Sequence, residues 1–159
     1  MSRPPSPRQA GLRRRRVLGA AAAAGLGLRL QAVQAVSAVP SLAEIERQWA
    51  RGRPVTEGRV TLEVPPLVEN GNTVPVRVRV DCTMTGTDRV LELALFNEKN
   101  PQREVLQLAF GPACPRAQAD ARIRLATSQQ LVALARLADG SQWSHHVDVV
   151  VTLAACIET

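Results

Sequence analysis

The run Val74-Pro75-Val76-Arg77-Val78-Arg79-Val80 alternates without a break. A strict period of two puts every valine on one face and Pro75, Arg77 and Arg79 on the other. A helix would scatter the same valines around its axis. The pattern therefore demands a half-buried strand, in a sheet with one wet face. Pro75 has no backbone donor, so it belongs at the strand's start or on an edge. Upstream, Val60, Leu62 and Val64 alternate with Thr61 and Glu63 in the same way. Residues 65–73 (PPLVENGNT) separate the two runs, and Asn70-Gly71 is a strong turn signal.

Further strands are expected at 90–96, 105–110, 121–126, 131–137 and 143–153. The breaks between them fall at 85–88, 97–101, 111–113, 128–129 and 139–140. In the last strand Val147, Val149, Val151 and Leu153 form one face. About seven short strands with turns every 8 to 12 residues point to an all-β antiparallel sandwich. A short helix precedes it. Ser41 is the N-cap with Glu44 three residues on, and Leu42, Ile45 and Trp49 form one stripe. Gly52 and Pro54 stop the helix. Two Phe, two Trp and no Tyr leave the core to Val, Leu and Ala.

Charge divides the chain. Seven arginines precede position 39 with no acidic residue among them, whereas from Val39 onward there are thirteen basic and fourteen acidic residues. The basic pI belongs to a leader, so the folded domain lacks the excess charge that nucleic-acid binding needs. Residues 1–38 read as a twin-arginine-type export signal: Arg13 to Arg16, a Gly/Ala-rich apolar stretch interrupted by Arg29, then cleavage after Ala38 or Ala35. The apolar stretch is short for a membrane span; the alternative is a retained basic anchor. A periplasmic domain at 39–153 with no membrane segment after signal removal is the expectation.

Three cysteines remain. In an oxidising compartment Cys82 and Cys114 could form a disulfide or stand as independent thiols. Cys156 lies beyond the last strand, in Ala154-Ala155-Cys156-Ile157-Glu158. Three residues past Leu153 span at most about 10 Å. A thiol on such an arm, residues 154–159, suits a covalent carrier whose cargo is processed inside another protein. His145 and His146 invite a metal reading, but neighbours in a strand face opposite ways, and surface placement is expected. Trp143 reads as packing. Asp81, Asp88 and Asp148 show no acid–base partner, and Arg77, Arg79, Arg122 and Arg124 form a solvated face. Nothing here implies a cofactor, a metal or a catalytic constellation.

Residues 64–81 (VPPLVENGNTVPVRVRVD), 95–101 (LFNEKNP) and 139–143 (DGSQW) resemble SoxY, the sulfur-carrying subunit of the SoxYZ complex. The resemblance implies an immunoglobulin-like sandwich with a mobile C-terminal arm, paired with a SoxZ-like subunit. It implies a carrier, not an enzyme: Cys156 would hold sulfur-oxidation intermediates, starting from thiosulfate, as covalent adducts for periplasmic sulfur-oxidising enzymes. SoxY ends in Gly-Gly-Cys-Gly-Gly; here Ala154, Ala155, Ile157 and Glu158 flank the cysteine, an ending similar to that of a SoxY-related subgroup with an AACIE arm. The alanines restrict the backbone modestly. Ile157 needs a wider or apolar pocket, and Glu158 puts negative charge beside the sulfur, which disfavours the thiolate. The competing reading is a sandwich that docks a periplasmic oxidoreductase, with Cys156 vestigial or dimerising.

Overall fold

The computed structural model describes residues 39–153. Helix α1 (Leu42–Trp49) opens it, with Ser41 Oγ accepting the Glu44 N–H at 3.2 Å. The Glu44 carboxylate does not close the capping box. It turns outward to Arg47 and to the Gln48 amide. Arg51 and Gly52, both in the left-handed region at φ 54° and 72°, end the helix.

Nine strands come after it in order: β1 (Thr56–Glu57), β2 (Val60–Glu63), β3 (Leu67–Val68), β4 (Val74–Val80), β5 (Val90–Asn97), β6 (Glu104–Ala109), β7 (Gln118–Ile123), β8 (Gln129–Leu137) and β9 (Gln142–Val151). A 3-10 turn, Gly86–Asp88, leads into β5. The large sheet runs β1-β9-β8-β5-β6, with β3 also paired to β9, and the small sheet runs β2-β4-β7. The fold is the expected all-β sandwich, with two additions. The bridges β1 and β3 pair with β9 in parallel, Thr56 opposite Trp143 and Leu67 opposite Val150. Two residues are too few to show a period, so neither bridge is visible in the hydropathy pattern.

The valine alternation does what its period dictates. Val74, Val76, Val78 and Val80 are buried while Pro75, Arg77 and Arg79 are exposed. The valines pack with Leu62, Leu93, Leu95, Leu131, Ala133 and Val149 in the core between the sheets. Strands β5 and β8 are buried on both faces. Their inner residues meet the valines, while Ala94, Phe96, Val132 and Leu134 point the other way and lie under Leu42 and Ile45 of α1. The helix stripe therefore completes a second, smaller core on the outer face of the large sheet.

Three strand boundaries differ from expectation by two residues or more: β8 begins at Gln129, inside the expected break at 128–129, and β7 and β9 are the other two. Strand β7 occupies 118–123 rather than 121–126, because Val74 to Arg79 pair with Ile123 to Gln118. The residues after it are held elsewhere: Asn100 Nδ2 donates to the Arg124 carbonyl at 2.7 Å, and its Oδ1 accepts the Ala126 N–H at 3.0 Å. Strand β9 ends at Val151, and Leu153 is 63% exposed rather than part of the buried face.

Polar groups fix the loops. Arg59 donates to the Asp81 carbonyl and to the Asp88 carboxylate, and lies 5.5 Å from the Trp143 ring centroid. Asp88 also accepts the Thr83 N–H at 2.7 Å. The Arg59 hydrogen bond, then the Thr83 N–H, hold the Asp88 carboxyl down at about 2. Asp88 thus has a partner that the sequence did not reveal.

Leu95→Ala, which empties part of the inner core, should lower the unfolding free energy by about 2–5 kcal/mol in urea titrations. Arg79→Ala, which removes an exposed ion pair with Glu63, should cost under about 1 kcal/mol; equal losses would show that the core is not where the burial places it. A carboxyl whose folded pKa is depressed stabilises the fold above its unfolded pKa, and that contribution is lost as pH falls through the folded value. Asp88→Asn should therefore lower the thermal midpoint at pH 7, and the gap from wild type should close between pH 4 and 2. A gap of the same size at pH 2 would contradict the ion-pair origin.

Candidate functional site

The thiol at Cys156 and its neighbours Ala154, Ala155, Ile157 and Glu158 lie outside the described residues, as does the leader. What the structure defines is where that arm is anchored. Strand β9 is interior to its sheet. Along one side it pairs with β8, Gln129 opposite Val149. At its end the other side is taken by the segment PPLVENG. The Val150 N–H donates to the Pro66 carbonyl and the Thr152 N–H to the Val68 carbonyl, both at 2.9 Å. The Gly71 N–H donates to the Leu153 carbonyl at 2.8 Å.

The sequence folds this segment locally. Asn70 Oδ1 accepts the Asn72 N–H at 2.9 Å, an Asx turn that aims the Gly71 N–H at β9. The Gly71 carbonyl accepts the Leu125 N–H at 2.8 Å. Val68 is buried beneath while Leu67 points to solvent. The loop is thereby pinned from below and from behind, and it clamps the last residues of β9.

A second clamp was not found by sequence reasoning. Ser128 Oγ accepts the Val151 N–H at 2.9 Å and lies 3.4 Å from the Val151 carbonyl. The turn around Asn97 to Asn100 holds Ser128 in place. Lys99 Nζ donates to the Ser128 carbonyl at 3.0 Å, and the Lys99 N–H donates to Gln129 Oε1 at 2.8 Å. Gln129 Nε2 in turn reaches Asn100 Oδ1 at 2.7 Å. In the sequence Ser128 and Gln129 mark only a break between strands. The segments PPLVENG and LFNEKNP, well separated along the chain, thus serve one place: the root of the arm.

The other sequence candidates have structural partners. His145 Nδ1 accepts the Leu62 N–H at 2.9 Å, capping the free side of β2; the imidazole therefore carries its proton on Nε2 in this arrangement. His146, on the opposite face, lies 3.1 Å from Glu46 of α1. Among the described residues no group of three or more His, Cys, Asp or Glu is placed to hold a metal ion. Arg77 pairs with Asp120 and Glu63, and Arg79 with Glu63. Arg122 lines a shallow surface depression with Arg124. Trp143 Nε1 donates to Ser141 Oγ at 3.0 Å. Asp148 accepts from the Gln130 amide at 3.1 Å. Cys82 and Cys114 are both free and half-buried against the same core, so the disulfide considered for them is not formed in this structure. Among the described residues no helix is long and apolar enough to cross a membrane.

Comparison with known proteins places this geometry. The model of the family described as sulfur oxidation protein SoxY matches residues 46–156. Among curated proteins, no sequence matches the chain. Among solved structures, the sulfur carrier protein SoxY from Chlorobium limicola f thiosulfatophilum is similar, with a TM-score of 0.59 and 22% identity over 71% of this chain and 100% of that one. A superoxide reductase (neelaredoxin) from Ignicoccus hospitalis has a TM-score of 0.53 and 18% identity, covering 71% of this chain and 99% of that chain. A superoxide reductase from Nanoarchaeum equitans reaches 0.51 at 10% identity, covering 60% and 100%. At these identities the structural likenesses speak to the fold. The family match spans most of the chain and runs through the clamp to Cys156 itself, and on that ground this chain belongs to the SoxY family of sulfur oxidation proteins.

Proposed function

We propose that this chain is a sulfur carrier, with Cys156 as the point of covalent attachment. The observation that carries this reading is the anchored end of β9. Backbone and side-chain hydrogen bonds hold the chain up to the Leu153 carbonyl, and the cysteine comes three residues later. A tether of that length spans at most about 10 Å. It offers the sulfur to another protein while the sandwich stays outside. With thiosulfate as cargo, the Cys156 sulfur bonds to the outer sulfur of the anion. One proton and two electrons are released, and an electron-accepting enzyme of the same system takes up the electrons. The chain itself supplies position and a thiol; the enzymes it visits supply the chemistry.

The proposal extends to setting. Residues 1–38 act as a twin-arginine-type leader, which puts the carrier in the periplasm, and a SoxZ-like subunit is its partner. Support for a partner comes from β6, which among the described residues pairs with β5 alone and leaves its other edge free, carrying the partly exposed Leu106 and Leu108. An open strand edge is a ready pairing surface. On this reading the ending Ala154-Ala155-Cys156-Ile157-Glu158 is the arm of an AACIE-type carrier. An apolar side chain and a carboxylate beside the sulfur then select receiving sites that are wider and more cationic than a glycine arm requires.

Intact-mass spectrometry of protein from cells oxidising thiosulfate should show a chain beginning near Val39. It should carry a reductant-labile adduct that is absent from Cys156→Ser, and that variant should abolish thiosulfate-dependent oxygen uptake. A bare thiol in such cells, or a disulfide-linked dimer, would move the function to a sandwich that docks an oxidoreductase without carrying cargo. Ser128→Ala, which frees the Val151 N–H, should speed amide hydrogen exchange at Val151 at least tenfold and leave exchange in β5 unchanged. Uniform acceleration across the domain would show that Ser128 supports the whole fold rather than the root of the arm.

A further inference from the structure

Three exposed apolar residues, Leu67, Val150 and Leu153, sit at the same root. Val39, Leu67, Leu108, Val150 and Leu153 are the large hydrophobic residues exposed among those described. Leu67 and Val150 are register partners across β3 and β9, with exposures of 59% and 53%. Leu153, three residues after Val150, is 63% exposed, and its carbonyl is fixed by Gly71. The outer face of β9 is covered only in its first half: Gln142 donates to the Ala50 carbonyl, Ser144 is buried, and His146 meets Glu46. Beyond His146 the outward residues of the strand, Asp148 and Val150, are exposed. Glu69 and Asp148 are exposed beside this patch, and neither has a salt-bridge partner among the described residues.

We infer that Leu67, Val150 and Leu153, flanked by Glu69 and Asp148, form a collar on which the enzyme that acts on the Cys156 adduct docks through an apolar rim bearing Lys or Arg. This rests on the carrier reading. The reach of the chain supplies the reason. Cys156 is at most about 10 Å of extended backbone from Leu153, so a protein that brings its reacting groups to that sulfur must set its surface down around Leu153. The side chains it meets there are apolar and solvent-facing, as the centre of a docking patch requires. The flanking carboxylates set the sign of the rim. They add to the negative charge of a sulfonate cargo and of Glu158, so one cationic surface complements all of them.

The test uses the full chain in its sulfur-oxidising host, with Leu67→Asp and Val150→Asp combined in one variant and Leu67→Met and Val150→Ile combined in another. Cells are pulsed with thiosulfate, and the rise and decay of the Cys156 adduct are followed by intact mass. Co-purification of the partner subunit and the oligomeric state are measured on the same material. The collar predicts adduct turnover at least tenfold slower in the aspartate variant and at the wild-type rate in the apolar one, with partner stoichiometry and thermal midpoint unchanged in both. Wild-type turnover in the aspartate variant would overturn the collar and leave the carrier standing. Loss of the partner subunit, or a dimer turned into a monomer, would also overturn it by assigning the patch to another occupant. If wild-type Cys156 acquires no adduct, the carrier reading fails and takes the collar with it.

Discussion

Everything in this molecule is referred to one strand that has neighbours on both sides. Strand β9 pairs with β8 along its length, and its other edge is met first by β1 and later by β3. A strand at the margin of a sheet would fray toward its end. This one cannot, because each late residue has a fixed partner: Val150 has Pro66, Val151 has Ser128, Thr152 has Val68 and Leu153 has Gly71. Of the two short parallel bridges, β1 is exposed and β3 sends Val68 into the core. Their effect is to convert the end of the last strand into a rigid base at the point where the arm begins.

Much of this was legible in the sequence where a period was long enough to see. The alternation at 74–80 fixed the identity and facing of β4, and the Leu42, Ile45 and Trp49 stripe located α1. The Asn70-Gly71 turn was visible too. What it holds was not, since the partner of the turn's free N–H lies at the far end of the domain. Strand β7 slipped by three residues because Ala121 to Ala126 read as strand-like on composition, while Asn100 takes the backbone of 124–126 for its own side chain. The single face drawn through Leu153 failed for a related reason: the strand ends once Gly71 bonds the Leu153 carbonyl. Ser128 and Gln129 carried no signal at all, since a serine and a glutamine at a break look like any loop. Cys156 stood out by position alone, and it lies outside the described residues.

The polar residues that first suggested chemistry are instead joints. His145 supplies an acceptor to an otherwise unpaired strand amide, and His146 ties α1 to the sheet. Arg59 and Asp88 lock the connection into β5. In an all-β domain with short elements such contacts do the work that longer ladders do elsewhere, because every exposed strand edge and loop amide needs a partner or water.

The clamp on β9 has a consequence for how such proteins diverge. Its donors and acceptors are mostly main-chain atoms: the carbonyls of Pro66, Val68 and Leu153 and the amides of Gly71, Val150 and Thr152. Side chains on either strand can be exchanged over long descent without altering those bonds, provided the turn still forms. Side chains can thus turn over along both β3 and β9 while the main-chain bonds that fix the end of the last strand persist.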